Sequence, residues 1–200
     1  MGSVVVCLTV SLDGFIAGPD DGPEFPLGRG GEGLFAWMDA GPEENRVERR
    51  LKPPTASKAV VDEWMTSAGA IISGRRTFDI AGGWADGHPI DVPIFVLTHN
   101  PPTHGTWSPR VTFVTEGIDR ALELAQEAAG DKFVSVGGAD PAQQLLRAGK
   151  LDEIEVSVVP LLLGGGVRLL DHIGPGPIAL EQTRVVASDG VTHLRYRVVR

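Results

Sequence analysis

The sequence is poor in several features, and each shortage excludes a class of protein. It contains a single cysteine, Cys7, among 200 residues, which excludes an internal disulfide framework. Lys and Arg number 18 against 26 Asp and Glu, giving a net charge of −8, so we expect no broad nucleic-acid surface. The 5 histidines show no spacing typical of metal ligands, and we predict no metal site. Cys7 itself lies in an apolar run and is predicted to be a buried, unreactive thiol.

Long apolar segments are also missing. Runs such as "VVPLLL" at 158–163 are far shorter than the ~20 residues that a membrane-spanning helix needs. The first residues do not show a basic region followed by a continuous apolar stretch, the pattern typical of a signal peptide. We therefore expect a soluble, cytoplasmic protein that contacts no membrane, folded as one domain over residues 1–200.

What remains is an alternation of strand and helix patterns. Strands are predicted at 3–11, 70–73, 92–98, 111–115, 133–136 and 154–160. Helices are predicted between them, with Ser57, Asp119 and Asp140 as N-caps, Pro141 as a first helical residue, and Gly130 and Gly149 as C-terminal stops. Such alternation is typical of an α/β protein in which helices cover both faces of a mostly parallel sheet.

Two further segments complete the predicted organisation. Residues 185–199 alternate as two antiparallel strands around an Asp189–Gly190 turn, which predicts a closing hairpin. Residues 12–35 are instead punctuated by Gly, Pro and Asp, which indicates a long loop. We expect the stretch 18–56 to cover the substrate side of a site.

Three glycine clusters compete as phosphate-binding loops. Gly28–Gly33 has the spelling G-x-G-x-x-G but follows no strand, so a flexible loop is the better interpretation. Gly164–Gly166 precedes no helix and is predicted to be a bend at the edge of the sheet. The Gly137–Gly138 pair does join a buried strand to a helix, where backbone amides can meet an anion. On this pattern it is either a phosphate cradle or a plain turn.

A second candidate anion site is "SGRRTF" at 73–78. Arg75 and Arg76 open a helix, where positive charge is intrinsically unfavourable, and Thr77 follows them. Arginine binds phosphate through paired donors, and ligands of open α/β sheets bind at the carboxyl ends of strands. Pairing with surface carboxylates is the alternative. We favour phosphate contact, and expect this junction and the Gly137–Gly138 junction to share one cleft.

These segments together resemble a known family. "SLDGFIAG" at 11–18, "GRRTFD" at 74–79, "VLTHNP" at 96–101 and the stretch 136–170 follow the order and spacing of dihydrofolate-reductase-like proteins. The similarity is greatest to the reductase domain of the riboflavin-pathway deaminase–reductase and its stand-alone relatives. The resemblance implies a three-layer αβα fold, NADPH as cofactor, and activity like that of 5-amino-6-(5-phosphoribosylamino)uracil reductase.

The resemblance also implies which residues bind. Those matching cofactor-binding positions are Ile16, Ala17, Gly74, Arg75, Arg76, Thr77, Thr98, His99, Val136, Gly137, Gly138 and Ala139. In the family the two glycines are often joined by a cis peptide. Asp13 and Ser157 match positions that face the substrate. Two departures stand out: Cys7 occupies a position that is commonly lysine, and the folate-anchoring acid of true dihydrofolate reductases has no clear counterpart, although Asp62 and Glu63 lie on the nearby helix.

Both substrate-side residues have alternative roles. Asp13 is the candidate catalytic proton donor or substrate-orienting group, or else it caps an Asp-Gly turn. Ser157 meets the substrate, or its hydroxyl is satisfied inside the sheet.

The predicted function is an NADPH-dependent reductase acting on a C=N or C=O bond of a small heterocycle, in a homodimer. The alternatives are a non-catalytic nucleotide-binding module and a true dihydrofolate reductase.

Overall fold

A computed structural model describes residues 2–47 and 51–200. The strands are β1 Val4–Ser11, β2 Phe15–Ala17, β3 Ala68–Gly74, β4 Ile94–Leu97, β5 Val111–Val114, β6 Phe133–Gly137, β7 Glu153–Val159, β8 Val167–Arg168, β9 Leu180–Ser188 and β10 Val191–Val198. The α-helices are α1 Thr55–Ser67, α2 Arg75–Ile80, α3 Ile118–Ala129 and α4 Ala139–Arg147. Three 3₁₀ helices span Gly31–Asp39, Glu43–Asn45 and Gly82–Trp84.

Eight of the strands form one sheet in the order β5-β4-β3-β6-β1-β7-β10-β9. The pairs from β5 to β7 are parallel, and β10 pairs antiparallel with both β7 and β9. The predicted mostly parallel sheet with a closing antiparallel hairpin is therefore confirmed, with Asp189 and Gly190 between the hairpin strands.

Helices cover both faces of this sheet. Because side chains alternate along a strand, the neighbours Ile71 and Ile72 enter different apolar clusters on opposite faces. Ile72 packs with residues of α3 and α4, including Leu122 and Leu145, in the largest cluster. The opposite face is covered by α1, α2 and the 3₁₀ helix Gly31–Asp39. The predicted three-layer αβα architecture is confirmed.

The helix ends differ from the predicted caps at several positions. Helix α1 begins at Thr55, so Ser57 lies inside it and is fully buried rather than capping it. Gly117 and Gly138 occupy the N-cap positions of α3 and α4. Asp119 and Asp140 therefore fall in the first turns, where their charge still favours the helix dipole. Pro141 is likewise the third helical residue and not the first. Gly130 and Gly149 do follow the helices with positive φ, as predicted.

The long segment predicted as a loop carries more structure than expected. It contains β2, which pairs with β8, and the 3₁₀ helix Gly31–Asp39. Its glycine cluster serves packing, since a Cβ on Gly28 would lie 2.1 Å from the Gly18 carbonyl oxygen. The Gly164–Gly166 bend follows β7, an interior strand, and so lies at the end of the sheet's central strands rather than at an edge strand. No helix among the described residues is long and apolar enough to cross a membrane.

The core cluster that includes α4 gives a direct stability test. Leu145 is fully buried between the sheet and its neighbouring helices, whereas Leu162 is 69% exposed. We expect Leu145→Ala to lower the free energy of unfolding by about 2–5 kcal/mol, because it removes apolar contacts and leaves a cavity. Leu162→Ala is the control and is expected to change it by less than ~0.5 kcal/mol. Urea denaturation measures both, and equal losses would contradict the assigned layers.

Candidate functional site

A cleft of about 1090 Å³ opens at the carboxyl ends of β4, β3 and β6. This is the edge of an α/β sheet at which ligands are expected to bind. Strand β1 lies in the middle of the sheet, between β6 and β7. The strands that follow β1 in the chain are added first on its β6 side and later, with β7, on its other side, so the order of strands reverses beside this cleft.

The two predicted anion-binding junctions lie side by side in this cleft. Strands β3 and β6 are neighbours, and their register pairs Ser73 with Gly137. The Ser73 hydroxyl donates a hydrogen bond to the Gly137 carbonyl oxygen at 3.2 Å. The junction from β3 to α2 and the junction from β6 to α4 therefore present their residues to one shared space.

Gly138 has a conformation and a position that require glycine. Its φ is +110°, a region that L side chains rarely adopt. A Cβ at this position would lie 2.9 Å from the Thr77 hydroxyl oxygen, across the junction of β3 and α2. Helix α4 begins at the next residue, so its first amides, which lack intrahelical acceptors, lie at the cleft. The peptide between Gly137 and Gly138 is trans, so the cis bond implied by the resemblance is absent.

Both arginines line the cleft, and both are held by carboxylates. The Arg76 guanidinium makes a two-point ion pair with Asp21, with its Nε 2.6 Å from Oδ2, and this hydrogen bonding raises the pKa of Arg76. Arg75 donates from Nε to Asp79 Oδ1 at 2.8 Å and also to the Asn100 carbonyl oxygen. The Arg76 side chain nevertheless remains 64% exposed, so part of its guanidinium is open to an anion in the cleft. Sequence reasoning did not find the Asp21 contact, because the two residues lie far apart in the chain.

The remaining predicted cofactor-binding residues line the two ends of the cleft. Thr98 and His99 follow β4 and line one end. Ile16 and Ala17, on β2, line the other end beyond β1. Of the predicted cofactor residues only Val136 does not line the cleft, because its side chain is fully buried in the core beneath α3 and α4.

Asp13 is engaged in turn contacts. Its carboxylate accepts hydrogen bonds from the Ser11 hydroxyl at 2.6 Å and from the backbone amides of Leu163 and Gly164 at 3.1 and 2.7 Å. The Ser11 hydrogen bond, supported by these amides, lowers the pKa of Asp13 to about 2. Asp13 is thus ionised at neutral pH and absent from the cleft lining, which supports the turn-forming alternative over proton donation.

Ser157 is fully buried and faces a histidine. Its hydroxyl lies 2.8 Å from Nδ1 of His193, whose Nε2 lies 2.8 Å from the hydroxyl of Ser57. Trp37 and Trp64 pack edge-on against the same imidazole. Burial, and then the Arg184 guanidinium, lower the pKa of His193 to about 4. These contacts support the alternative in which the Ser157 hydroxyl is satisfied inside the sheet.

The cleft also extends into a region that the sequence did not reveal. We call this extension the inner slot, and its residues, which lie on the α1 side of the sheet, are Cys7, Phe35, Trp64, Ile71, Phe133 and Ser135. Cys7 is half-buried there, not enclosed in the core as predicted. The exposure of Cys7 depends on how distant strands pair, and the local sequence pattern does not indicate that pairing.

Comparison with known proteins identifies the family. The model of the RibD C-terminal domain family matches residues 3–194 of this chain. The chain belongs to this family. The resemblance inferred from "SLDGFIAG" and the later motifs is therefore confirmed.

Individual relatives of the RibD C-terminal domain are distant in sequence. The uncharacterised protein YwjB of Bacillus subtilis (strain 168) is 24% identical over 172 residues, which cover 84% of this chain and 83% of YwjB. A crystal structure from Shewanella sp. PV-4, of a protein whose name provisionally links it to riboflavin biosynthesis, is 23% identical with a TM-score of 0.71 and covers 99% of both chains. The Thermotoga maritima diaminohydroxyphosphoribosylaminopyrimidine deaminase/5-amino-6-(5-phosphoribosylamino)uracil reductase is 15% identical with a TM-score of 0.60.

The alignment with the Thermotoga protein covers 99% of this chain but only 57% of that protein. At these identities the solved structures show the shared fold. Membership of the RibD C-terminal domain family supports a reductase-type protein related to riboflavin biosynthesis.

The Gly138 geometry predicts a specific cost of adding a methyl group. Gly138→Ala forces a strained φ and places Cβ against Thr77, inside the cleft. We propose below that this junction binds a dinucleotide, and on that proposal Gly138→Ala should lower the affinity for it at least tenfold as well as destabilising the fold. Gly149→Ala is the matched control, because Gly149 also has positive φ (+65°) but nothing within 4 Å of the new Cβ. It should cost ~1 kcal/mol of stability and leave binding unchanged. Titration calorimetry and urea denaturation separate the two effects, and intact binding by the Gly138 variant would refute the cradle.

The buried His193 predicts a dependence of stability on pH. Its folded pKa of about 4 lies below the unfolded value of ~6.5, so the unfolded chain takes up the proton first. Stability from this group is full above pH ~6.5 and is lost as the pH falls towards 4, by about 2 kcal/mol at pH 5. We expect His193→Gln, which cannot titrate, to lose less stability than the wild type between pH 7 and pH 5 in urea denaturation. Parallel losses in the two proteins would show that His193 does not titrate in this range.

Proposed function

We propose that the protein is an NADPH-dependent reductase of a small heterocyclic substrate, acting on a C=N or C=O bond. The observation that carries the proposal is the shared cleft, which Arg75 and Arg76 line together with the glycine junction between β6 and α4. Guanidinium groups and exposed helix amides are the donors that phosphates prefer. A dinucleotide's linked phosphates require two such positions close together.

The residues present fit this cofactor along the whole cleft. The amides of Gly138 and Ala139 would receive the pyrophosphate, because Gly138 has no side chain to cover them. Arg75, Arg76 and Thr77 would bind the 2′-phosphate and adjacent phosphate oxygens, with Thr98 and His99 beside the adenosine. Ile16 and Ala17, at the opposite end, would hold the nicotinamide next to the inner slot.

When bound, the reduced nicotinamide supplies the hydride, so the protein's main task is orientation. The backbone of β2 sets the position of Ile16 and Ala17, and its pairing with β8 fixes that backbone. Asp13 contributes by tying the turn before β2 to the Leu163–Gly164 bend. In this proposal Asp13 is a positioning residue and the proton reaches the substrate by another route.

We also propose that the protein forms the homodimer predicted from the sequence. Strand β9 is an edge of the sheet and exposes Val185 and Leu180 at 52% and 42%. An exposed apolar edge strand is a surface on which a second copy can pair. A homodimer in solution, measured by light scattering, is the expected state.

Cofactor preference tests the proposed function. We expect Arg75→Ala combined with Arg76→Ala to weaken NADPH at least tenfold and NADH much less, because only NADPH carries the 2′-phosphate. Arg110→Ala is the control, since Arg110 forms an exposed ion pair with Asp91 and does not line the cleft. Fluorescence titration of NADPH and NADH against the wild type, the double variant and the control gives the six affinities to compare.

Equal losses for NADPH and NADH would contradict the assignment of the arginines. Tight NADPH binding without oxidation of NADPH by any acceptor in a broad panel would instead favour a nucleotide-binding module. Reduction of dihydrofolate at rates typical of that enzyme would favour a true dihydrofolate reductase.

A further inference from the structure

The cleft has a further branch, which the predicted cofactor-binding residues do not line. We call it the outer pocket, and the described residues that line it are Ile80, Ala81, Trp84, His88 and Ile90. Helix α2 ends at Ile80 after six residues, so the outer pocket begins about 9 Å from the start of the helix, where the arginines stand. The segment that carries the other four residues leads from α2 to β4.

The outer pocket is continuous with the inner slot. Trp84 and Ile90 pack against the apolar cluster that contains Ile71, and the Ile71 side chain also lines the inner slot. A substrate with its ring in the inner slot can therefore extend a substituent past Ile71 into the outer pocket. Apolar walls with a few placed polar groups are the usual composition of a small-molecule site.

An unusual backbone turn fixes one wall of the outer pocket. Gly82, Gly83 and Trp84 have successive φ values of +58°, +64° and +50°. A tryptophan rarely adopts this left-handed conformation, which persists only where its surroundings hold it. The Trp84 ring meets the ring of Phe78 edge-on at 6.1 Å and the imidazole of His88 at 5.6 Å. The turn therefore places an aromatic wall beside His88.

His88 is the polar group of the outer pocket, and its contacts fix its tautomer. Its Nδ1 accepts a hydrogen bond from the backbone amide of Ile90 at 3.0 Å. The Ile90 carbonyl oxygen lies 3.2 Å from Nδ1, but it already accepts from the Val92 amide at 3.0 Å. An N–H donates only to a ring nitrogen that carries no proton, so the proton of the neutral imidazole is on Nε2.

The Nε2–H group of His88 is available to a ligand. Nε2 has no hydrogen-bond partner among the described residues, and it keeps accessible surface. Burial lowers the pKa of His88, so the ring is uncharged at pH 7. A single uncharged donor suits a carbonyl or hydroxyl oxygen. An anion would lose water here without gaining a free positive charge, because Arg76, one turn before Ile80, is paired with Asp21.

We propose that His88 is a specificity-determining residue, whose Nε2–H donates a hydrogen bond to an uncharged oxygen on a substituent of the substrate ring. The inference deepens the proposed function and rests on it for the place of the substrate in the cleft. The substrate class is then a planar heterocycle whose substituent carries a hydroxyl or carbonyl group, with Trp84 packing beside that group.

Three pterins that differ in one substituent test this class. The substituent of 6-methylpterin has no oxygen, that of 6-hydroxymethylpterin has an uncharged oxygen, and that of pterin-6-carboxylate is an anion. We expect the wild type to bind 6-hydroxymethylpterin about fivefold more tightly than either of the others, which is the effect of one neutral hydrogen bond. Pterin fluorescence measures the three affinities. Tighter binding of the carboxylate, equal binding of the methyl and hydroxymethyl compounds, or binding of none overturns the inference.

Two substitutions separate the donor from the turn contact. His88→Asn keeps an oxygen that can accept from the Ile90 amide but has no donor at the position of Nε2. His88→Gln keeps a donor at that position and loses the acceptor. We expect the preference for 6-hydroxymethylpterin to disappear in His88→Asn and to persist in His88→Gln, and any other pattern contradicts the role of the donor. His104→Asn is the control and should change no affinity, because His104 does not line the cleft.

The tautomer is measured directly on the wild type, independently of any variant's stability. Long-range ¹H–¹⁵N correlation NMR at pH 7 shows which ring nitrogen carries the proton, and the signals missing from the His88→Asn spectrum are those of His88. We expect a proton on Nε2 alone, and a shift of its signal when 6-hydroxymethylpterin is added. A proton on Nδ1 would refute the assignment.

None of these measurements needs the cofactor. A protein that passes them but binds no NADPH would refute the proposed function and leave His88 as a ligand-binding residue. A protein that binds and oxidises NADPH but fails them would keep the proposed function and lose this inference.

Discussion

The parallel pairing of β3 with β6 is the constraint on which the candidate site depends. Their register places Ser73 beside Gly137, so the helices that follow the two strands begin next to each other. Each junction taken alone is an ordinary strand-to-helix turn. Together they bring arginine side chains and the first amides of α4 to one cleft, and Gly138, which has no Cβ, allows Thr77 to lie close to the start of that helix. A shift of this register by one residue would separate the donors and turn the side chains of one strand to the opposite face.

The fold was predictable because its signals are local. Runs such as "SVVVCLTVS" and "PIFVLT" are too apolar and too β-branched for a surface element, and the Asp189–Gly190 turn fits only a hairpin. The errors concerned exact helix starts: Ser57, Asp119 and Asp140 have the chemistry of N-caps, but Gly117 and Gly138 fill two of those positions. Strands β2 and β8 were missed, because short strands in a glycine-rich context leave little periodicity.

The site was predictable only in part, for a physical reason. Backbone donors at strand ends follow from the order of elements, so Gly74, Gly137 and Gly138 could be located from the sequence. Partners of polar side chains depend on contacts between distant segments. Ser157 meets His193, and Arg76 meets Asp21, and neither contact leaves a trace in the local pattern. The inner slot is of the same kind, since its walls come from four separate parts of the chain.

The central position of β1 has a consequence for how the chain folds. Val4 pairs with Val134 on one side and Val5 pairs with Glu153 on the other, so the first strand finds its neighbours only in the last third of the chain. Contacts between such distant residues carry a large loop-closure entropy and are associated with slow folding. During synthesis the apolar first strand therefore emerges long before its partners, and the nascent protein has to keep it from aggregating until they arrive.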